Sequence, residues 1–175
     1  MIVVAFHTPE YADCAAPFRA AVEALGLRCE IAPFPSSGNW ERNTGLKPLA
    51  LGNLRATLRG PLLYLDIDAQ LLRVPALPAG EWDLAVCENP VKKHVNRVNA
   101  AAFFVADTPG AIEFLDLWRA FVRASITGRD HPQLTRTIAK HRGTIAMADV
   151  ELAGCYKLNG FRPQRTQVKQ EVAVG

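Results

Sequence analysis

Two aspartates that follow an apolar run are the residues with the clearest chemical potential. Leu62–Leu65 has the pattern of a buried strand, and Asp66 and Asp68 come directly after it. Charged side chains are rarely buried unless something pairs with them. The partner of this pair could be a metal ion, a cation of the protein itself, or water at the end of the strand.

The spacing of the two aspartates favours a shared cation. Side chains two positions apart on an extended strand lie on one face, so we expect both carboxylates to point the same way. Neighbouring carboxylates repel each other unless a cation offsets their charge. Carboxylate oxygens suit Mg²⁺ or Mn²⁺, and such an ion would also bind a diphosphate. The simpler alternative, two solvated carboxylates at a strand end, stays open.

Composition limits the class of protein. The 175 residues predict one domain with a sizeable core, and a net charge of +3 is too small to favour nucleic-acid binding. None of the four cysteines belongs to a C-x-x-C pair, so zinc and redox motifs have no support. The sequence has no apolar span long enough to cross a membrane and no signal-peptide pattern, which predicts a cytoplasmic protein. The oligomeric state stays open.

Alternating strand and helix patterns predict an α/β domain with a mostly parallel central sheet flanked by helices. In such sheets ligands bind at the carboxyl ends of the strands. We expect one domain over residues 1–160 and a polar tail over residues 161–175. The predicted strands are Ile2–Phe6, Leu27–Phe34, Leu62–Leu65, Trp82–Cys87, Val98–Ala106 and Thr144–Ala148.

Helix boundaries follow from capping residues. Thr8 with Pro9 predicts the start of a first helix and Gly26 its end, and a second helix is expected over Leu46–Leu58. Thr108 or Asp107 with Pro109 predicts a third helix that stops at Gly128. A fourth helix is expected over about Pro132–His141. Its start carries D-x-x-Q, Asp130 to Gln133, which has the form of a capping box.

Four segments in this order resemble the nucleotide-diphospho-sugar transferases, that is, glycosyltransferases of the GT-A type. "VVAFHTPEYADCAAPFRAAVEALG" is similar to their first strand, nucleotide-contacting turn and first helix. "LKPLALGNLRATLRGPLLYLDIDAQLLRVP" is similar to their helix with an early lysine followed by the D-x-D strand. "VNAAAFFVADTPGAIEFLDLW" resembles their N-x-G segment, and "DHPQLTRTIAKH" the helix after it. The resemblance covers residues 1–160.

The resemblance implies a metal-dependent glycosyltransferase with a GT-A-like fold. The donor would be a nucleoside diphosphate sugar, the cofactor Mn²⁺ or Mg²⁺, and the acceptor is not identified. Asp68 would bind the metal directly, and Asp66 would contact the donor ribose, or the metal through water. The remaining roles would be nucleotide contact at Thr8 and Tyr11, approach to the base or phosphates by Lys47, sugar binding by Asn99, and sugar binding or catalysis by Asp130.

A structural explanation stands beside each of these roles. Tyr11 could stack on a base or only pack, and Lys47 could be an ordinary surface lysine. Glu88 ends a predicted strand at the cleft edge and could be the acceptor base, or a solvated strand end. The remaining structural explanations are a helix cap for Thr8 and Asp130, a polar strand edge for Asn99, and packing for Trp40, Trp82 and Trp118.

A basic loop follows Glu88. Lys92, Lys93, His94 and Arg97 could hold a phosphate or close over the donor, although a solvated loop has the same pattern. The loop has no interleaved aromatic residues, so we do not expect it to bind nucleic acid.

Two departures from the family pattern leave other functions open. Ala101 stands where the N-x-G motif has glycine, and no histidine follows Ala148 to serve as the late metal ligand of the family. One alternative is therefore a non-catalytic nucleotide-sugar-binding domain of the same fold. Another is a phosphatase of the haloacid-dehalogenase type, in which the first aspartate of D-x-D is the nucleophile and the second a general acid. Gln70 departs from that motif, which favours Thr or Val there.

Overall fold

A computed structural model describes residues 1–88 and 98–159 of the chain. The strands are β1 (Ile2–His7), β2 (Arg28–Pro33), β3 (Leu62–Leu65), β4 (Ala69–Leu71), β5 (Leu84–Glu88), β6 (Val98–Val105), β7 (Ile145–Met147) and β8 (Tyr156–Leu158). The helices are α1 (Ala12–Glu23), α2 (Trp40–Thr44), α3 (Lys47–Thr57), α4 (Pro109–Arg123), α5 (Asp130–Ile138) and α6 (Asp149–Leu152).

Six strands form the central sheet in the order β2-β1-β3-β6-β5-β7. β1 is parallel to β2 and β3, and β5 is parallel to β7. Among the described strands of this sheet, only β6 is antiparallel to its neighbours, β3 and β5. β4 and β8 form a separate antiparallel pair. The prediction of an α/β domain with a mostly parallel sheet is confirmed.

Helices cover both faces of the sheet because successive strand residues point to opposite sides. Val4 and Phe103 belong to the core on one face, which also contains residues of α3, α4 and α5. Val3 and Phe104, their immediate neighbours, belong to the core on the other face, with residues of α1, β4 and α6. Since β1, β3 and β5 run in the same direction, their carboxyl ends lie at one edge of the sheet, between the two helical layers.

The turn after β1 differs from its prediction. Pro9–Tyr11 forms a 3₁₀ turn, and α1 begins only after it. The Thr8 side chain makes no capping hydrogen bond, so the predicted cap is wrong. Gly26, with φ of +73°, reverses the chain into β2 in the left-handed region that glycine adopts freely.

The capping prediction for α4 is confirmed, and the one for α5 is wrong. Thr108 Oγ1 accepts a hydrogen bond from the Ala111 amide at 3.1 Å. At α5 the cap position is Arg129, which makes no side-chain capping bond, and Asp130 lies inside the helix. The D-x-x-Q pattern therefore does not act as a capping box, because the Asp130 carboxylate has other partners. Helix α4 also ends at Arg123, before the predicted stop.

A second aspartate organises the opposite edge of the sheet, where β5 begins. Asp83 accepts hydrogen bonds from the Thr108 hydroxyl at 2.6 Å and the Thr144 amide at 2.8 Å. Gly143 packs so closely on this carboxylate that a Cβ there would lie 2.1 Å from Asp83 Oδ2. Asp83 thus joins the starts of α4 and β7 to β5.

Among the described residues, no helix combines the length and apolarity needed to cross a membrane.

Candidate functional site

The D-x-D segment is a turn and not a continuation of the strand. β3 ends at Leu65, and the Ala69 amide donates to the Asp66 carbonyl at 2.8 Å. Asp66 and Asp68 are both half-buried, and the Ile67 side chain between them is buried in the core. The expectation that the two carboxylates share one face of an extended strand is therefore wrong. They are presented by a tight turn at the carboxyl edge of the sheet.

Lys47 is buried at the start of α3, with 3% of its surface exposed. Its ammonium lies 2.7 Å from Asp130 Oδ2 and 2.9 Å from Asp66 Oδ1. It also donates to the Ala100 carbonyl at 2.8 Å. A lysine has three N–H donors, so each has an acceptor within the protein. The alternative of an ordinary surface lysine is wrong.

The charges of this group stabilise one another. Burial lowers the pKa of Lys47, but the carboxylates of Asp130 and Asp66 outweigh it and leave the pKa above its usual value. Burial raises the pKa of Asp130, but Lys47 and His131 outweigh it and hold the pKa far below the usual range. Both groups are therefore ionised at neutral pH.

His131 completes the arrangement from α5. The His131 amide donates to Asp130 Oδ1 at 2.8 Å, and its ring Nδ1 lies 3.5 Å from the same oxygen. Its Nε2 accepts from the Ala100 amide at 3.2 Å, so in the neutral ring the proton lies on Nδ1. We call Lys47, Asp66, Ala100, Asp130 and His131 the lysine cluster. It connects α3, the β3 end, β6 and α5.

The two aspartates of the turn have different surroundings. Asp66 Oδ1 accepts from Lys47 and from the Tyr64 hydroxyl, the latter at 2.6 Å. Asp68 has no ion pair within residues 1–88 and 98–159, and burial together with the charge of Asp66 raises its pKa. Lys47 lowers this pKa only in part, so among the described residues no cation pairs directly with the Asp68 carboxylate.

The residues present fit a divalent cation only if a substrate shares it. Within the described part of the chain, no group of three or more His, Cys, Asp or Glu side chains could hold a metal ion. Asp66 and Asp68 supply carboxylate oxygens, and their two negative charges are offset only in part by Lys47. Mg²⁺ is commonly bound by one or two carboxylates together with substrate phosphates and water. The turn matches that pattern and does not match a closed protein cage.

Aromatic side chains lie beside this turn. Tyr11 is half-buried, and burial raises the pKa of its hydroxyl. The charges of Asp68 and Asp66 raise this pKa further, whereas a hydrogen bond from Trp40 lowers it. Trp40, at the start of α2, is 56% exposed, so the expectation that it packs in the core is wrong. Ser36 donates to Glu10, which ties the loop before Trp40 to the turn that carries Tyr11.

Thr8 and Asn99 form hydrogen bonds within the protein, and Glu88 is exposed to solvent. Thr8 is buried, and its carbonyl accepts from the Tyr11 amide. The Asn99 amide group donates to the Tyr156 hydroxyl, and its oxygen accepts from the Ala101 amide at 2.9 Å. Glu88 is exposed at the end of β5. Nucleotide contact by Thr8, sugar binding by Asn99 and the acceptor-base role of Glu88 stay predictions. The predicted role of the basic loop also stays a prediction, because its residues lie outside the described part of the chain: Lys92, Lys93, His94 and Arg97.

Sequence reasoning missed several members of the site. His131 has no metal-ligand spacing in the sequence that would single it out, yet it contacts Asp130 through its amide and ring. The Ala100 backbone has no sequence signal at all. Tyr64 appeared only as part of an apolar strand, although its hydroxyl bonds to Asp66. The exposure of Trp40 had one available signal, its position after a Ser- and Gly-rich loop.

Comparison with known proteins identifies the fold. No protein-family model matches the sequence, and no curated protein matches it. A solved glycosyltransferase involved in the glycosylation of the major capsid of PBCV-1 is 11% identical, with a TM-score of 0.64 over 83% of this chain and 79% of that one. GlyE, a glycosyltransferase of Streptococcus pneumoniae TIGR4, is 14% identical, with a TM-score of 0.55 over 83% of this chain and 45% of GlyE.

The chain has a glycosyltransferase fold. The apo form of GlyE gives the same result, with a TM-score of 0.60 and 13% identity over 85% of this chain. The chain spans less than half of GlyE, so the likeness concerns only that part of the neighbour. The fold gives no support to the phosphatase alternative.

Proposed function

We propose that the protein is a GT-A-type glycosyltransferase that moves a sugar from a nucleoside diphosphate sugar to a hydroxyl group of an acceptor. The observation that carries the proposal is the lysine cluster. It holds one aspartate of the D-x-D turn and Asp130 of α5 on the same ammonium, at 2.9 and 2.7 Å. The shared ammonium holds both carboxylates at one edge of the sheet. In the proposed enzyme, Asp66 would face the diphosphate of the donor and Asp130 its sugar.

Mn²⁺ or Mg²⁺ is part of the proposal. Asp68 would hold it directly, and Asp66, whose Oδ1 already accepts two hydrogen bonds, would contact it through water or bind the donor ribose. When bound, the cation supplies positive charge that offsets the charge of the leaving diphosphate. The position of Asp68 beside Asp66 in the turn supports this assignment, because a cation would offset the repulsion between the two carboxylates.

The chain's own residues position the donor. Tyr11 and Trp40 offer aromatic surface to the base beside the D-x-D turn, and every base has a face that can stack. Asp130 is a weak proton acceptor because its pKa is held so low, and it is 4% exposed with both oxygens engaged, so it suits positioning of the edge better than proton abstraction; contact with a sugar hydroxyl stays a prediction. Lys47 acts as a positioning residue, since its three donors are occupied by the protein.

The transfer itself exchanges one bond for another. The acceptor oxygen forms a bond to the anomeric carbon, and the bond between that carbon and the diphosphate oxygen breaks. The nucleoside diphosphate leaves with the bonding electron pair, and the acceptor hydroxyl loses its proton. Glu88, exposed at the end of β5, is the candidate base for that proton in an inverting reaction.

The test is donor turnover. The protein is incubated with Mn²⁺, a panel of nucleotide sugars and mixed hydroxyl acceptors, and release of nucleoside diphosphate is measured. We expect one donor to be consumed, and Asp68→Asn to abolish the release. Asp116→Asn, at an exposed position of α4, is the matched control and should leave it unchanged. Failure of every nucleotide to bind in calorimetry would contradict the proposal.

A specific observation favours a second candidate, a nucleotide-sugar-binding domain without catalysis. Ala101 is 4% exposed at the position of the family's glycine, and the Asn99 side chain is already hydrogen-bonded to Tyr156 and to the Ala101 amide. These hydrogen bonds occupy the Asn99 side-chain amide, which is the group expected to position the donor sugar. This candidate predicts normal Mn²⁺-dependent nucleotide binding and no release from any donor.

A further inference from the structure

A cleft of about 400 Å³ opens between α1 and β4, on the side of the sheet opposite to the lysine-bearing helix. Its volume lies within the range of roughly 300–1,000 Å³ that is usual for small-molecule sites. The cleft reaches the D-x-D turn, because Asp68 forms part of its wall. We call it the α1–β4 cleft. It is lined by Asp13, Cys14, Pro17, Phe18, Ala21, Ile67, Asp68, Ala69, Gln70 and Asn159.

The lining of the cleft has a definite chemistry. Phe18 and Ile67 are buried beneath it and provide an apolar floor. Asp13, Asp68 and Gln70 contribute carboxylate and amide groups that accept or donate hydrogen bonds. Among the described residues, no lysine, arginine or histidine lines it. A ligand with hydroxyl groups and one apolar face fits this lining, whereas an anion would meet two carboxylates and, among the described lining residues, no cation.

We propose that the α1–β4 cleft binds the acceptor, and that this acceptor is an uncharged sugar. The inference rests on the proposed function, since an acceptor has a role only beside a donor. The inference goes beyond the proposed function because it gives the acceptor a binding site and a chemical class. Asp68 belongs both to the candidate diphosphate site and to the cleft wall, so a ligand in the cleft lies next to the donor.

The donor nucleotide is a poorer occupant of the cleft. Its diphosphate would face Asp13 and Asp68, and the Phe18 ring is 3% exposed and too covered to stack on a base. The exposed aromatic surface beside the turn belongs to Trp40, which does not line the cleft. The base and the acceptor therefore occupy different surfaces.

The cleft contains its own reporter. Cys14 is half-buried in the lining, whereas Cys29, Cys87 and Cys155 are buried elsewhere. Burial raises the pKa of the Cys14 thiol, and the charges of Asp68 and Asp13 add to the rise, so alkylation is followed at about pH 8.5, where enough thiolate forms. Cys14→Ser shows which part of the labelling belongs to this residue.

The experiment measures protection of Cys14 from iodoacetamide in the native protein. Neutral methyl hexopyranosides, with glucuronate as the anionic counterpart, are added at millimolar concentration in the presence of Mn²⁺ and nucleoside diphosphate. We expect at least one neutral glycoside to slow alkylation several-fold, and glucuronate to have no effect. Ala21→Phe, which fills the cleft, should abolish the protection. Ala20→Phe, on the exposed neighbouring position of α1, should retain it.

Other outcomes overturn the proposal in distinguishable ways. Equal protection by glucuronate contradicts the uncharged class, and protection by the nucleotide alone assigns the cleft to the donor. No protection by any sugar, with nucleotide binding intact in calorimetry, rejects the acceptor site and leaves the proposed function standing. Absence of nucleotide binding contradicts the proposed function itself, and with it the acceptor role.

Discussion

The Lys47 ammonium lies 2.7 Å from Asp130 Oδ2, and this buried ion pair joins the first turn of α3 to the first turn of α5. The same ammonium lies 2.9 Å from Asp66, so one positive charge serves two carboxylates. Removal of the lysine would leave both of them without their principal cation. This relationship gives the first prediction.

Lys47→Ala should lower the free energy of unfolding by about 3–5 kcal/mol, the usual cost of removing one partner of a buried ion pair. Urea unfolding followed by circular dichroism measures the change. Lys140→Ala, at an exposed position after α5, should shift the free energy by less than about 0.5 kcal/mol. A loss of similar size in both variants would show that the lysine cluster does not stabilise the fold.

Acid should destabilise the protein partly through Asp130. Its pKa in the folded state lies below its value in the unfolded chain, so between the two the unfolded state binds more protons. The stabilisation is therefore present above the unfolded pKa of about 3.9 and is lost as the pH falls towards the folded value. In urea titrations from pH 7 to pH 3, Asp130→Asn should flatten the acid loss, and Asp116→Asn should retain it.

Asp68→Asn should separate binding from stability. The raised pKa of Asp68 means that its ionised form is disfavoured in the folded protein. The neutral amide of Asn should therefore stabilise the metal-free fold slightly. The gain should be less than about 1 kcal/mol, because the side chain is half-exposed. Mn²⁺-dependent nucleotide affinity should fall about tenfold or more, or 1.4 kcal/mol. Thermal shifts and calorimetry test the two effects, and equal nucleotide affinity with and without metal in the native protein would reject the metal assignment.

Nucleotide binding should quench the fluorescence of Trp40. Trp40 is 56% exposed, Trp82 is half-buried against the core and Trp118 is fully buried, so a change on titration reports mainly on the exposed ring. Trp40→Phe should remove the signal and keep most of the affinity. Tyr11→Ala should weaken binding by about 1–3 kcal/mol if its ring stacks on the base, and Tyr11→Leu, which keeps the apolar bulk, should not restore it. Unchanged affinity in Tyr11→Ala would mean that Tyr11 only packs.

The sheet was predictable because its signals are local. Apolar runs such as Leu62–Leu65 have the length of strands, and Pro109 after Thr108 marks the start of α4. Local signals failed where tertiary contacts competed with them. Asp130 has the form of a helix cap, but the charge of Lys47 and the His131 amide bind its carboxylate instead.

The candidate site was only partly predictable for the same reason. The pattern places Asp66 and Asp68 correctly just after a strand, yet the strand stops at Leu65, three residues before Asp68, so the two carboxylates do not share a strand face. The burial of Lys47 depends on acceptors at Asp66, Ala100 and Asp130, none of which is near it in sequence. No periodicity within α3 indicates a buried charge.

The backbone of Ala100 gives the site a place in the order of folding. Its carbonyl meets a lysine 53 positions earlier, and its amide meets a histidine 31 positions later. Contacts that close such long loops form only after most chain entropy has been lost. We therefore expect the charged edge to assemble late in folding, and a partly folded chain would present the two aspartates of the turn without the ammonium that organises them.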